Sequence, residues 1–295
     1  MKTPAALCFC LLALGTTAPA QTTINDTNKY AWGANTGWLN WRPSAPDGVV
    51  VGEAYLSGKI YAANFGWISV GDGTPDNGHT YSNTSATDTG VNHNGTGTLS
   101  GYAYGANIGW VNFGWTAVFN DPNRPHFDLL TGQFTGYAYS ANTGWINLAG
   151  NLTTDTLACP DTDTDGMADA WEIQKFGNLT AAAVGTDKDK DGQSDAAEYA
   201  ADTNPNDAGE YLRISTMVPD FANMQMTIQF RTARPTRRYR IQTSTTLLNA
   251  GPGAWVTTGG DFLTEPSLNF RTQVVPIPAP AGPRRYFRVV AEKPL

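Results

Sequence analysis

Cysteine is scarce in this 295-residue chain: of three, Cys8 and Cys10 fall within the first twenty residues and only Cys159 lies beyond them. One remaining thiol cannot form an intrachain disulfide, so a disulfide scaffold is excluded. The three histidines, His79, His93 and His126, sit in or beside loops without metal-ligand spacing. Phosphate loops, nucleophile elbows and zinc motifs are missing. A glycosidase needs only two facing carboxylates, but none of the acids before residue 150 stands in a recurring apolar strand context that would raise its pKa. The chain is therefore expected not to be an enzyme, with a polysaccharide hydrolase as the weaker alternative. Helix signals are missing throughout 21–150, and no stretch after residue 20 is apolar enough to cross a membrane.

The first twenty residues combine Lys2, an apolar run from Ala5 to Leu14, and Ala18-Pro19-Ala20 before Gln21. That is the pattern of a secretory signal cleaved near Ala20-Gln21, and it implies a secreted or cell-surface protein. The formal net charge of −7 hides a polarity. Residues 155–207 carry thirteen acids against three lysines, whereas residues 210–295 carry eleven Arg or Lys against five acids. Nucleic acid is not the expected partner of an exported chain with one such patch. A cell-envelope or extracellular polysaccharide, or the protein's own acidic segment, fits the basic tail better.

What the chain does have is repetition. Four segments share one frame: "YAWGANTGWLNW" (30–41), "KIYAANFGWISV" (59–70), "YAYGANIGWVNF" (102–113) and "YAYSANTGWINL" (137–148). Ala-Asn-x-Gly never changes, and between two β-rich runs it reads as a hairpin turn. Taking Ala106-Asn107-Ile108-Gly109 as a four-residue loop sets Gly105 opposite Trp110 and Tyr104 opposite Val111. The partner of the tryptophan is then small in every copy (Gly33, Ala62, Gly105, Ser140), and the indole packs over it. On this register Tyr102, Tyr104, Val111 and Phe113 form a core face. Both hairpin faces are then apolar, so Trp38, Trp67, Trp110 and Trp145 are expected to be buried between units. The alternative is a carbohydrate-binding adhesin in which the same four rings are platforms for sugars. The Asn following three of the tryptophans (Asn40, Asn112, Asn147, with Ser69 in the second copy) is expected to bond nearby backbone. Short strands upstream of the later hairpins predict a three-stranded meander per unit.

"DTDTDGMADAWE" (161–172) and "DKDKDGQSDAAE" (187–198) carry the clearest chemistry. Each places carboxylates at positions 1, 3, 5, 9 and 12 and glycine at position 6. Calcium needs six to eight oxygens at about 2.3–2.6 Å from a loop that wraps the ion. The first site is expected to use Asp161, Asp163, Asp165, the Met167 carbonyl, Asp169 directly or through water, and Glu172 as a bidentate clamp. The second repeats those roles with Asp187, Asp189, Asp191, Gln193, Asp195 and Glu198. Two calcium ions are therefore the expected cofactors. Short helices are predicted over 168–176 and 195–201.

These loops match the EF-hand loop pattern, yet no amphipathic helix leads into either. The segment, with "DTNPND" after it, resembles the thrombospondin type 3-like calcium repeats of secreted bacterial multidomain proteins. That resemblance covers about fifty residues and implies a rigid calcium-dependent connector rather than a switch. A dockerin-like docking module is the competing resemblance. It would imply a partner protein, but dockerins usually sit at a chain end and carry a repeated recognition pair.

Residues 210–295 alternate in strand fashion, with Pro and Gly clusters between runs. Six or seven short strands suggest a sandwich like fibronectin type III. "RRYRIQTSTTL" and "GPRRYFRV" are similar to the β-domain that often follows such calcium repeats. The expected organisation is a signal at 1–20, a β-repeat domain at 21–152, a calcium connector at 153–209 and a β-sandwich at 210–295, mainly β throughout.

Overall fold

The computed structural model describes residues 21–44, 47–118, 121–234, 236–248, 254–263, 270–278, 284–293 and 295. The expected export signal, with Cys8 and Cys10, lies outside them.

The first hairpin pairs β1 (Ile24–Gly33) with β2 (Gly37–Asn40). After β3 (Val49–Val51) comes the second, β4 (Leu56–Ala62) with β5 (Gly66–Gly71). After β6 (Val91–His93) comes the third, β7 (Leu99–Gly105) with β8 (Gly109–Asn112). The short pair β9 (His126–Phe127) and β10 (Phe134–Thr135) precedes the fourth, β11 (Tyr137–Ser140) with β12 (Gly144–Asn147), and β13 (Leu152–Thr154) ends the unit. The hairpins pair in sequence, and β12 returns to β1, so eight antiparallel strands close into a barrel. Strands β3 and β6 supply the third strand of the middle units, as expected of a meander. In the first unit the extra strand comes from the far end of the domain, where β13 pairs with β1.

The hairpin register differs from the sequence reading by one residue. Gly105 faces Gly109, Tyr104 faces Trp110 and Ala103 faces Val111, and the other hairpins follow the same register. The loop is three residues long, and the one-residue slip turns the first strand over: Tyr102 and Tyr104 face out and Ala103 faces in, while Val111 and Phe113 lie in the core as expected. The facing pairs Ala31–Leu39, Ile60–Ile68, Ala103–Val111 and Ala138–Ile146 therefore fill the barrel interior, all at most 3 % exposed. Below them lie Trp41, Val70, Phe113 and Leu148, the last residue of each frame. Trp38, Trp67, Trp110 and Trp145 are not buried between units. They lie on the outer surface, 49–55 % exposed, and Tyr102 and Tyr104 join them there rather than in the core.

The small residue of each copy serves a different neighbour from the one expected. A Cβ on Gly33 would stand 2.4 Å from Thr36 Oγ1, and one on Gly105 would stand 2.9 Å from Ile108 Cγ2. The variable residue of Ala-Asn-x-Gly folds into the barrel mouth, which requires a small residue beneath it. The glycine that follows sits at positive φ, between +72° and +83° in the four copies. The asparagine is not at positive φ. Its Nδ2 donates to the carbonyl of the x residue in the neighbouring hairpin: Asn35 to Thr143 (2.9 Å), Asn64 to Thr36 (3.2 Å), Asn107 to Phe65 (3.0 Å) and Asn142 to Ile108 (3.0 Å). The four bonds run round the mouth as a ring. Replacing Asn142 with Ala should cost about 1 kcal/mol, read as a lower midpoint in denaturant unfolding.

The residue after each tryptophan behaves as expected. Asn40, Asn112 and Asn147 accept the backbone N–H two residues on at 2.7–2.9 Å, and Ser69 Oγ does so at 3.4 Å.

His93, fully enclosed against Phe127, is held as a neutral tautomer. Its Nε2 donates to the Gly52 carbonyl at 2.7 Å and its Nδ1 accepts from the Gly95 N–H at 3.1 Å. Burial, with minor repulsion from His79, Lys293 and His126, lowers its pKa from 6.5 to about 4. A depressed histidine contributes stability that is present above its unfolded pKa and lost as pH falls through the folded value. Stability should therefore fall by up to about 3 kcal/mol between pH 6.5 and 4. Thermal unfolding across that window should show a steeper slope for the natural chain than for His93→Gln.

Two helices follow, α1 (Asp169–Phe176) and α2 (Asp195–Ala201). The remaining strands are β14 (Arg213–Asp220), β15 (Gln225–Arg231), β16 (Arg238–Ser244), β17 (Val256–Leu263), β18 (Phe270–Pro276) and β19 (Tyr286–Glu292). They form two three-stranded antiparallel sheets, ordered β14-β15-β18 and β17-β16-β19. The sheets enclose Ile228, Phe230, Tyr239, Ile241 and Val275, a small sandwich core.

Candidate metal centre

Each acidic loop takes the same backbone path. Position 4 is left-handed in both (Thr164 φ 60°, Lys190 φ 65°), and the position-6 glycines lie at φ 92° and 97°. The position-1 aspartate ties the turn from within. Asp161 accepts the N–H groups of Asp165 (3.2 Å) and Gly166 (2.9 Å), and Asp187 accepts those of Lys190 (2.7 Å) and Gly192 (3.0 Å). Position 5 braces the next turn: Asp165 accepts from Met167 N–H at 2.9 Å and Asp191 from Gln193 N–H at 2.7 Å. As a result Asp161, Asp163 and Asp165 each bring a carboxylate oxygen within 4.8 Å of the others, and Asp187, Asp189 and Asp191 do the same.

The position-12 glutamates are the telling groups. Glu172 is wholly buried with neither carboxylate oxygen hydrogen-bonded. Glu198, 1 % exposed, leaves Oε2 without a partner while Oε1 accepts from Thr203. Asp165, Asp189 and Asp191 each add a buried oxygen with no partner. Leaving a buried carboxylate oxygen unpaired is costly. Desolvation first, then the neighbouring aspartates, hold Glu172 and Glu198 up at about 7. Six oxygens without protons to accept, grouped at two points, are what a hard cation would satisfy.

Asp169 and Asp195 have a different role in this geometry. Both oxygens of Asp169 accept from Thr162, through N–H at 2.7 Å and Oγ1 at 2.6 Å. Asp195 accepts from Thr186 Oγ1 at 2.6 Å and Lys188 N–H at 3.1 Å. Position 9 is thus spent on closing the loop and stands outside the convergent triads. Met167 is fully buried by its side chain, and Gln193 is half-buried.

The helices lie close to expectation: α2 spans the predicted residues, and α1 starts one residue later and stops at Gly177, left-handed at φ 80°. Neither loop is entered by a helix. The two units share one core, in which Met167, Trp171, Ala182 and Tyr199 meet, with Trp171 and Tyr199 rings 5.1 Å apart. Each ring belongs to a residue adjacent to a position-12 glutamate, so the two loops are mechanically joined.

No family model, curated protein or solved structure matches this chain. The site therefore rests on its own geometry.

Sequence reasoning did not find the groups that fasten the connector to its neighbours. Tyr199 Oη donates to Glu53 of the barrel at 3.0 Å, and Lys293 of the tail pairs with Glu53, donates to Tyr199 and lies 3.9 Å over its ring. The buried Arg237 donates to the carbonyls of Tyr199 (3.0 Å) and Ala200 (2.9 Å) at the C-terminus of α2. Arg234 and Thr236 reach Asp202 beside it. The only signal was the charge asymmetry, which pointed to the acidic segment as a partner of the basic tail. Cys159, whose thiol burial pushes up, lies 3.8 Å from Lys293 and is a free cysteine.

Because Glu172 is buried and unpaired, Glu172→Gln should stabilise the metal-free protein by about 1–3 kcal/mol at pH 8. The same variant should abolish any calcium-induced rise in melting temperature arising from the first loop. Differential scanning calorimetry with and without chelator checks both.

Proposed function

We propose that this chain is an exported, non-enzymatic calcium-binding structural protein in which two ions fix a connector between a β-barrel and a β-sandwich. The observation that carries the reading is the pair of buried glutamates, Glu172 and Glu198, with carboxylate oxygens that no donor satisfies, each beside a convergent aspartate triad. Calcium suits this set better than magnesium, which prefers few protein ligands and strict octahedral geometry. The ligands proposed are Asp161, Asp163, Asp165, the Met167 carbonyl and Glu172 in one loop, and Asp187, Asp189, Asp191, the Gln193 carbonyl and Glu198 in the other. Asp169 and Asp195 contribute through a bridging water at most, since both are engaged in loop closure.

Extracellular calcium, at millimolar concentration, needs only affinities of about 10⁻⁴–10⁻³ M to load such sites. Its role here is to hold the connector rigid. Glu198 is followed directly by Tyr199 and Ala200, which contact the barrel and receive Arg237 of the sandwich. Ordering the second loop therefore orders the junction of all three parts.

Isothermal titration of the mature protein should find two calcium ions per chain, and Asp165→Ala or Asp191→Ala should each remove one. At 10 mM calcium each site should add about 1.4–2.7 kcal/mol. Chelation should expose residues 155–207 to protease and broaden the interdomain distances seen by small-angle scattering. Arg237→Ala should broaden them even with calcium bound. Failure to take up calcium at millimolar concentration would sink the proposal.

A further inference from the structure

The outer surface of the barrel carries a second feature, independent of the calcium loops. Where the register places tryptophan outward, it places tyrosine or tryptophan opposite it: Trp32–Trp38, Tyr61–Trp67, Tyr104–Trp110 and Tyr139–Trp145. The rings touch as pairs, with centroids 5.1 Å apart for Tyr61–Trp67, 4.7 Å for Tyr104–Trp110 and 4.8 Å for Tyr139–Trp145. They do not cover one another, since the five tryptophans among them remain 45–55 % exposed. Between successive pairs stand the amides. Asn112 lies in register between Tyr102 and Tyr139, Asn147 between Tyr137 and Trp32, and Asn40 between Tyr30 and Tyr61. Each of these amides fixes its Oδ1 on a backbone N–H. Among the described residues the Nδ2 groups of all three have no partner, so oriented donors flank the rings.

The second hairpin breaks the pattern, with Lys59 and Ser69 at the equivalent positions. It is also where the barrel meets the connector: Lys59 and Trp67 line a groove with Asp169 and Ile173 of α1. The arc from β7 round to β2 keeps the aromatic and amide alternation, and the charged side chains on its strands are Asp26 and Lys29, both in the part of β1 that precedes the repeated frame.

This composition selects among occupants. A protein interface also favours Trp and Tyr, but it clusters them in one desolvated centre, whereas here the rings are dealt out at even spacing with an amide donor between successive pairs. A bilayer requires an apolar band on strands of about 9–11 residues, whereas the strands of the arc are 4–10 residues long and only β1 reaches that length. An uncharged sugar ring offers C–H faces to indole and phenol, and hydroxyl oxygens to amide donors. Repetition in three hairpins adds avidity along a polymer.

We infer that the arc formed by the first, third and fourth hairpins is a binding surface for an uncharged polysaccharide, with Trp38, Trp110 and Trp145 as stacking platforms and Asn40, Asn112 and Asn147 as hydroxyl-directed donors. Trp67 is as exposed as the others, but its hairpin carries Lys59 and Ser69 where the others carry an aromatic ring and an amide, so it contributes least.

Native gel electrophoresis of the mature, calcium-loaded protein in gels containing hydroxyethylcellulose, arabinoxylan, glycol chitin or alginate tests this. At least one of the neutral polymers should retard migration, and the anionic alginate should not. Trp110→Ala or Trp145→Ala should each weaken retardation about tenfold, and the Trp38/Trp110/Trp145→Ala triple variant should abolish it. Trp67→Ala should change it least. Asn112→Ser, the residue type found naturally at 69, should weaken binding with every ring in place, which separates donor loss from misfolding. An unchanged far-ultraviolet circular dichroism spectrum and a cooperative melting transition certify each variant as folded. Three results would overturn the assignment: no retardation by any neutral polymer, retardation unaffected by the triple variant, or a dimer or liposome complex that forms through these tryptophans instead.

Discussion

Everything in the barrel follows from how the three-residue loop closes its mouth. The x residue of Ala-Asn-x-Gly turns inward and presents its carbonyl sideways, and the asparagine of the adjacent hairpin donates to it. That bond needs a glycine at positive φ after x and a small residue below it. It also sets the strand register, and register decides which face is wet. Three invariant letters, repeated in four hairpins, thereby specify a closed ring, with no exposed edge among the eight barrel strands. The same bond that fills the interior with Ala, Ile, Leu and Val pairs leaves the tryptophans outside.

This explains what was legible in the sequence and what was not. The repeat, the position of each turn and the β character of this domain are local patterns, and these read correctly, whereas the length of the turn did not. The register depended on whether Gly109 belonged to the loop or opened the strand, which the letters alone left balanced. Choosing a four-residue loop turned the first strand over: it put Tyr102 and Tyr104 into the core and Trp110 over Gly105, while Val111 and Phe113 stayed on the face where the structure has them. The deciding contacts, such as Asn107 to Phe65 across 42 residues, are between hairpins and have no local signature. The acidic loops were legible because their constraint is local. Alternate carboxylates, a glycine at position 6 and a glutamate at position 12 all act within twelve residues. Even there, position 9 turned out to clamp Thr162 and Thr186, hydroxyls that the pattern of acids gave no reason to notice.

The junction shows a different economy. Glu53 receives both Tyr199 and Lys293, so one carboxylate of the barrel binds the connector and the tail together. Arg237 meets the last carbonyls of α2, where a cation is favoured by the helix terminus. A buried arginine held by two carbonyls, with Asp202 at 3.8 Å, fixes orientation rather than adding much net stability. The sandwich is in this way aligned to the exit of the second acidic loop, not merely tethered to it.

The placement of the basic residues also bears on the metal. Thirteen acids face eleven bases across the connector and tail, and simple neutralisation would pair them. It does not happen at the loops. Among the described residues, the ion pairs use Glu53, Asp202, Glu210 and Glu292, and none uses a loop carboxylate. An arginine inserted between Asp161 and Asp165 would relieve their repulsion and compete with any cation for the same oxygens. By docking at the end of α2 instead, the tail satisfies its own charge and leaves the two carboxylate clusters uncompensated. That arrangement leaves the carboxylates repelling one another, and the divalent ion proposed for each loop would relieve that repulsion.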